Sequence, residues 1–374
     1  MKVGIDGRAA KWYRGTGIGT YTYQLISSLN KIDKLNDYLL FMPESSNVDI
    51  SFNKNFNIRN ISEGNQSNFW DEVNIPNILV DKDIQLYHVP QNGVGLPKDR
   101  NCPFIITLHD VIPLRMPETV GENYLRIFNE EMPNIVSNCD GIITVSHYSR
   151  EDIAKAFNFP IDKIFVTHLG AEDIYRPLDR NICKDIIKNK YGIASNFILY
   201  VGGFSPRKNI VGLIEAFSKL LSKYKKDIKL VVVGKQGKSY STYKGRAEEL
   251  NITDKVLFPG FIPIEDLPLF YNASELLAYP SFYEGFGLPP VEAMACGTPV
   301  VTSNVTSIPE VLGDSAIFIN PQDIDALCTS MLKVLSDKNF RDKLVRKGLV
   351  RSSELSWDKT ALDTIIAYNK ILNN

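Results

Sequence analysis

Short apolar runs alternate with helix-period segments along nearly the whole chain, and this alternation restricts the fold more than any other feature. Runs such as "FILYVGG" (197–203), "IKLVVVG" (228–234) and "PVVTS" (299–303) are apolar at consecutive positions, not alternate ones. A strand of that kind is buried on both faces, as in a parallel sheet covered by crossover helices. The first half carries strand candidates near 2–6, 38–42, 84–89, 103–108, 141–145 and 164–167. The second half carries them at 197–203, 228–234, 256–260, 276–280, 299–303 and 316–320. Helix signals fall between. "SPRKNIVGLIEAFSKLL" offers Ser205 as a cap, Pro206 at the first helical position and one apolar face. "SIPEVLG" reads as a capping box, Ser307 with Glu310, closed by Gly313. The expected class is α/β, built from stacked βα units.

A chain of 374 residues exceeds what one hydrophobic core usually serves, so two such series predict two domains. "LGAEDIYRPLDRN" reads as the linker, giving domains 1–172 and 173–355. The segment 356–374 holds an amphipathic helix opening on Trp357, expected to pack back on the first domain. Residues 45–80, rich in Asn and Ser, give no assignable element. A net charge of −1 argues against nucleic acid as the main partner. No apolar run is long enough to span a bilayer, and MKVGIDGRAA reaches glycine and charge too early for a signal peptide. Cys102, Cys139, Cys183, Cys296 and Cys328 form no CxxC pair and read as reduced packing residues of a cytoplasmic protein.

The stretch "YPSFYEGFGLPPVEAMACGTPVV" (279–301) carries the chemistry. Gly285 and Gly287 permit tight backbone geometry, and Pro289 and Pro290 suit a helix start. The donors of such a helix start favour an anion such as a phosphate. Glu284 and Glu292 on either side are acceptors for hydroxyl groups. Anion plus polyol points to a sugar nucleotide. "RGTGIGTYTYQL" (14–25) raises a competing dinucleotide fingerprint, but Thr20 stands where its third glycine belongs and the preceding strand ends too far upstream. Formal D-x-D strings occur at Asp81/Asp83 and Asp323/Asp325. The first precedes a strand and the second starts a helix, where aspartates cap, so no catalytic metal is expected.

Taken together, E-x7-E within 279–301, "GGFSPRKN" at 202–209, the early glycine loop and "TLHD" at 107–110 resemble the retaining glycosyltransferases of family 4. The resemblance covers nearly the whole chain and is strongest over 197–320. It implies the GT-B fold, two facing Rossmann-like domains with a cleft between them. It implies that Glu284, Arg207, Lys208 and His109 act in catalysis, His109 beside the donor sugar. The backbone of Gly285, Phe286, Gly287 and Leu288 would hold sugar and pyrophosphate, and Glu292 the ribose hydroxyls. Arg207 and Lys208, read as the first turn of a helix, would reach the same pyrophosphate. Gly15, Gly17 and Gly19 would line the acceptor side. One departure is Gly203, which stands where many members carry an arginine. His88 and His168 gain no role, and His147 reads as local scaffolding.

"PRKN" and "GFGLPPVEAMACGTPVV" are similar to mannosyl- and rhamnosyltransferases of bacterial polysaccharide assembly, which implies GDP-mannose as donor and a glycan or lipid-linked acceptor. No cofactor is expected. A GT-B sugar-nucleotide epimerase and a non-catalytic sugar-nucleotide-binding protein stay open as alternatives at this point. Lys219, Lys223, Lys225, Lys226 and Lys229 form a basic cluster, either a solvated helix end or a peripheral contact with the inner face of a membrane.

Overall fold

The apolar runs become parallel strands. The computed structural model describes residues 1–12, 14–43, 49–61, 83–97, 99–235, 237 and 239–373. It divides into one unit of 1–169 with 356–374 and another of 170–355. Among the described residues the first unit holds β1 (Lys2–Asp6), β2 (Asp37–Pro43), β3 (Phe56–Ile61), β4 (Leu86–Val89), β5 (Phe104–Thr107), β6 (Gly141–Thr144) and β7 (Ile164–Val166). They run parallel in the order β3-β2-β1-β4-β5-β6-β7. Strands β4, β5 and β6 are buried along their whole length, as an unbroken apolar run demands. One face packs a core that includes Phe41, Tyr87, Phe104, Ile106, Phe128, Met132 and Ile142.

The edge strand β3 has no counterpart among the sequence expectations. Its residues, FNIRNI, are largely exposed beyond Phe56, so no apolar run marks them. Asp81 and most of 45–80 lie outside the described residues. The helix Trp357–Leu372 starts at Ser356, whose hydroxyl accepts from the Lys359 amide at 3.2 Å, and it belongs to the first unit. Thr360 Oγ1 donates to the His168 carbonyl at 2.6 Å. Gly141 lets this helix come close: a Cβ there would meet Ile371 Cδ1 at 2.5 Å. The division after Leu169 falls just before the expected boundary at 172.

The second unit holds β8 (Phe197–Val201), β9 (Lys229–Val233), β10 (Val256–Gly260), β11 (Leu276–Tyr279), β12 (Val300–Ser303) and β13 (Ile317–Ile319). Their order is β10-β9-β8-β11-β12-β13, again all parallel. Both sheets are therefore doubly wound, and each reverses its winding once: between β1 and β4, and between β8 and β11. Ligands of such sheets bind beyond the carboxyl ends of the strands at that reversal.

Two local expectations are corrected. The segment after β8 is not one helix capped by Ser205. Residues 206–208 form a 3-10 turn, Asn209 adopts a left-handed conformation (φ 56°), and the α-helix runs Ile210–Lys223 without a side-chain cap. Ser307 precedes the helix Ile308–Leu312 but forms no capping bond. Its hydroxyl donates instead to the Glu284 carbonyl at 2.8 Å. Gly313 does close that helix. All five cysteines are buried and unpaired, and Asp323 caps its helix through the Ala326 amide at 2.8 Å.

Candidate active site

The reversal point of the second sheet gathers three residues that sequence reading singled out. Arg207 and Lys208 follow β8, and Glu284 follows β11. Lys208 Nζ donates to Glu284 Oε1 at 2.6 Å, and Arg207 donates to Glu284 Oε2 at 3.0 Å. The Tyr279 hydroxyl donates to Glu284 Oε1 at 2.9 Å. Glu284 is 6% exposed and Lys208 8%. Burial alone would raise the carboxyl pKa, but two cations at contact distance hold it down at about 2. Tyr279, pushed well above the usual tyrosine range by burial, keeps its proton and stays a donor. The cluster thus buries one anion with two cations and carries one surplus positive charge.

Arg207 and Lys208 owe this geometry to the 3-10 turn, not to a first helical turn. The left-handed Asn209 separates them from the α-helix, so neither side chain follows that helix's spacing. Arg207 also ties the two loops together: its side chain donates to the Tyr283 carbonyl at 2.7 Å, and its own carbonyl accepts from the Phe282 amide at 2.8 Å.

Beyond Glu284 the loop is clamped. The Glu284 amide donates to Thr306 Oγ1 at 3.1 Å, and the Ser307 hydroxyl bonds the carbonyls of Glu284 and Phe286. Gly285, Phe286 and Gly287 are buried. Gly287 has φ 103°, and a Cβ there would lie 2.6 Å from Ile308 Cδ1, so the turn into the helix Leu288–Ala295 calls for glycine. Pro289 and Pro290 occupy early helical positions and contribute no N–H. Tyr279 and Thr306 escape sequence reading as site residues, and Ser307 reads there only as a helix cap; a hydroxyl residue beside a glycine loop carries no distinctive spacing.

Glu292 stands apart from this cluster. It is half-buried on the helix Leu288–Ala295 and accepts from the Tyr271 hydroxyl at 2.6 Å. Burial raises its pKa to about 7, with the nearby Glu172 adding to the rise. The two carboxylates eight residues apart are thus driven in opposite directions.

The first unit carries the remaining candidates. His109 follows β5, and its Nε2 lies 3.2 Å from the Pro90 carbonyl. A carbonyl only accepts, so Nε2 carries the proton and Nδ1 is the acceptor nitrogen. Burial lowers the His109 pKa to about 4, so the ring is neutral at pH 7. Its amide donates to Asn92 Oδ1 at 3.1 Å, and its ring meets Tyr21 at 4.7 Å and 89°. Tyr21 lies on the helix Gly17–Ile32, which begins at the glycine loop and is capped by Thr16. Gly15 and Gly17 are exposed, and among the described residues nothing beyond their chain neighbours and their own helix backbone lies within 4 Å of a Cβ built on either. Gly19 is buried, and its amide donates to Thr16 Oγ1 at 3.2 Å, so it serves the cap. His147 and His168 pack their rings 5.7 Å apart.

Comparison with known proteins identifies the family. Residues 184–350 match the family described as Glycosyl transferases group 1, and residues 15–173 match Glycosyltransferase Family 4. The chain is 36% identical over 265 residues to O-antigen chain mannosyltransferase B of Escherichia coli, covering 71% of this chain and 69% of that protein. It is 30% identical over 293 residues to the serotype-specific mannosyltransferase WbdA of Escherichia coli. That match covers 77% of this chain and 36% of WbdA, so the chain spans only about a third of that relative. Sucrose-phosphate synthase from Thermosynechococcus elongatus superimposes with a TM-score of 0.77 at 20% identity, covering 100% of this chain and 99% of that one. Anabaena HepE in complex with UDP and glucose gives 0.74 at 16% identity, covering 99% and 100%.

Proposed function

Because the chain belongs to the group 1 glycosyltransferases of family 4 and has their two-domain GT-B fold, we propose that it transfers mannose, with retention, from GDP-mannose to a glycan or lipid-linked acceptor. The observation that carries this reading is the surplus positive charge on the Arg207–Lys208–Glu284 cluster, beyond the ends of β8 and β11. A departing nucleoside diphosphate gains negative charge as its bond to the sugar breaks. Cations already fixed in place stabilise that charge without reorganising at the moment of reaction. Glu284 Oε1 already accepts from Lys208 and Tyr279, whereas Oε2 accepts from Arg207. A carboxylate oxygen takes two donors, so Oε2 is the atom suited to a sugar hydroxyl.

In the step proposed, the bond from the anomeric carbon to the diphosphate oxygen breaks. The acceptor oxygen then bonds the same carbon on the same face, and its proton passes to the diphosphate. No side-chain base is required, which suits a site whose carboxylate is held near pKa 2. Glu292, carrying two acceptor oxygens when ionised, suits the ribose hydroxyls. His109, neutral at pH 7, would support the developing cation through its acceptor nitrogen or backbone. With the leaving charge met by cationic side chains, transfer should survive exhaustive chelation. Among the described residues no helix is long and apolar enough to cross a membrane, and we place the work at the cytoplasmic side, where sugar nucleotides are available.

The test is a panel of sugar nucleotides read by thermal unfolding. GDP-mannose at ~100 times its dissociation constant should add about 2.7 kcal/mol. Incubation with acceptor glycans should then yield an α-linked product from the α-linked donor. Stabilisation by uridine sugars alone would overturn the donor assignment, and donor consumption without any transferred sugar would overturn the transferase.

A further inference from the structure

A buried chain of hydroxyl and imidazole groups runs through the first unit from its last helix to His109. The Tyr368 hydroxyl lies 2.7 Å from His88 Nδ1, and His88 Nε2 lies 2.8 Å from Thr107 Oγ1. Thr107 Oγ1 lies 3.0 Å from the Tyr21 hydroxyl. All four side chains have no solvent exposure. Tyr21 in turn meets the His109 ring edge-on at 4.7 Å, while Trp357 of the same terminal helix packs against Tyr21 at 6.1 Å.

From this geometry we infer that Tyr368, His88, Thr107 and Tyr21 are positioning residues that fix the His109 ring, so that the terminal helix acts on the site through them. The inference rests on the role given to His109 above. Burial keeps His88 neutral, with its pKa lowered to about 3, so the ring has one donor and one acceptor nitrogen. Each hydroxyl has a single proton. When Tyr368 donates to Nδ1, Nε2–H donates to Thr107, and Thr107 donates to Tyr21; in the opposite sense every bond reverses together. Neither sense leaves a member free to rotate alone. Tyr21 is consequently held at its hydroxyl by Thr107 and at its ring by Trp357 and His109. His109 then has two orienting contacts, the Pro90 carbonyl and the Tyr21 ring. An apolar core would bind the helix as well without this directionality, since buried polar groups gain little net stability even when fully paired.

The experiment compares Tyr368→Phe with wild type by nitrogen-detected NMR of the histidine rings and by steady-state kinetics. The wild-type His109 signal should report a single Nε2–H tautomer. In Tyr368→Phe that signal should shift or broaden. kcat should fall, up to roughly 100-fold as for a group misplaced by about an ångström, while KM for the donor stays within twofold. Should Tyr368→Phe not fold, Tyr21→Phe keeps the ring and removes the hydroxyl, and the same two readouts apply. An unchanged His109 signal and unchanged kcat in a folded variant would overturn the inference, even if its melting temperature drops. Wild-type turnover by His109→Ala would instead defeat the role given to His109, and the NMR result would still decide whether the chain orients the ring.

Discussion

The two sheets reverse their winding in the same way, yet treat the carboxylate at that point differently. In the first unit Asp6 ends β1 and binds Arg8 through two contacts, at 2.6 and 2.9 Å, with Gln91 donating to it at 2.6 Å. Asp6 and Arg8 are 0% and 1% exposed, and their charges cancel. In the second unit Glu284 faces two cations, and the cluster retains a net positive charge. One reversal point is sealed by a neutral pair, and the other is primed for an anion. Topology therefore nominates two positions in this chain, and charge balance separates the neutral, sealed one from the one proposed to take the diphosphate.

The comparison can be broken most forcefully at the sealed pair. Arg8→Met leaves Asp6 buried with no cation and only the Gln91 side chain and the residue-8 amide as donors, and loss of one partner of a buried pair costs about 3–5 kcal/mol. Chemical denaturation should show that loss, while the folded fraction binds the nucleotide as wild type does. Weakened nucleotide binding in Arg8→Met would mean that the first reversal point is not merely structural. Lys208→Ala should do the converse. Arg207 still pairs Glu284, so stability should fall less, but kcat should drop roughly 10²- to 10³-fold as for one preorganised charge-stabilising group. A turnover change under tenfold would remove Lys208 from the chemistry.

Gly287→Ala is the next smaller effect. A non-glycine residue at φ 103°, with its Cβ against Ile308, should cost about 1–3 kcal/mol and loosen the loop that presents Glu284. Protease nicking within 284–288 should rise in the variant. Unaltered protection and melting would show that the turn tolerates a side chain.

The strands were legible because a segment buried on both faces is apolar along its length, and β8, β11 and β9 beyond Lys229 read as such without help. Strand β3 was not, since an exposed edge strand needs no apolar run. The glutamates, Arg207 and Lys208 could be picked out as chemistry-bearing groups. Their mutual pairing could not, because Lys208 and Glu284 are 76 residues apart and meet only through β8 and β11 becoming neighbours. The left-handed Asn209 and the diversion of Ser307 from cap to clamp belong to the same class. Each follows from a tertiary contact that overrides a sound local preference. The link from His88 to Tyr368 spans 280 residues and has no sequence signature.

The finest distinction lies within the second unit, between two carboxylates eight residues apart. Glu284 has its pKa lowered from 4.5 to about 2, so the folded state binds fewer protons than the unfolded chain in that window. Its stabilising contribution is present above pH 4.5 and is lost as pH falls to about 2. Glu292 has its pKa raised to about 7, so the folded state holds a proton that the unfolded chain releases near 4.5. Stability from this group therefore falls as pH rises from 4.5 to 7. Ribose hydroxyls donating to Glu292 would favour its ionised form, so the two properties should oppose each other: as pH rises from 6 to 8, affinity for the sugar nucleotide grows while the ligand-free protein loses a little stability. The sugar nucleotide is a diphosphate diester with no titrating proton in this range, so the slope reports the protein. Glu292→Gln keeps one acceptor oxygen; it should bind roughly tenfold more weakly at pH 8, the low end for a hydrogen bond to a charged group, and show no slope. Glu284→Gln should keep the slope and lose turnover. A slope that persists in Glu292→Gln, or disappears in Glu284→Gln, would exchange the parts given to the two residues and with them the link between pKa and role at this site.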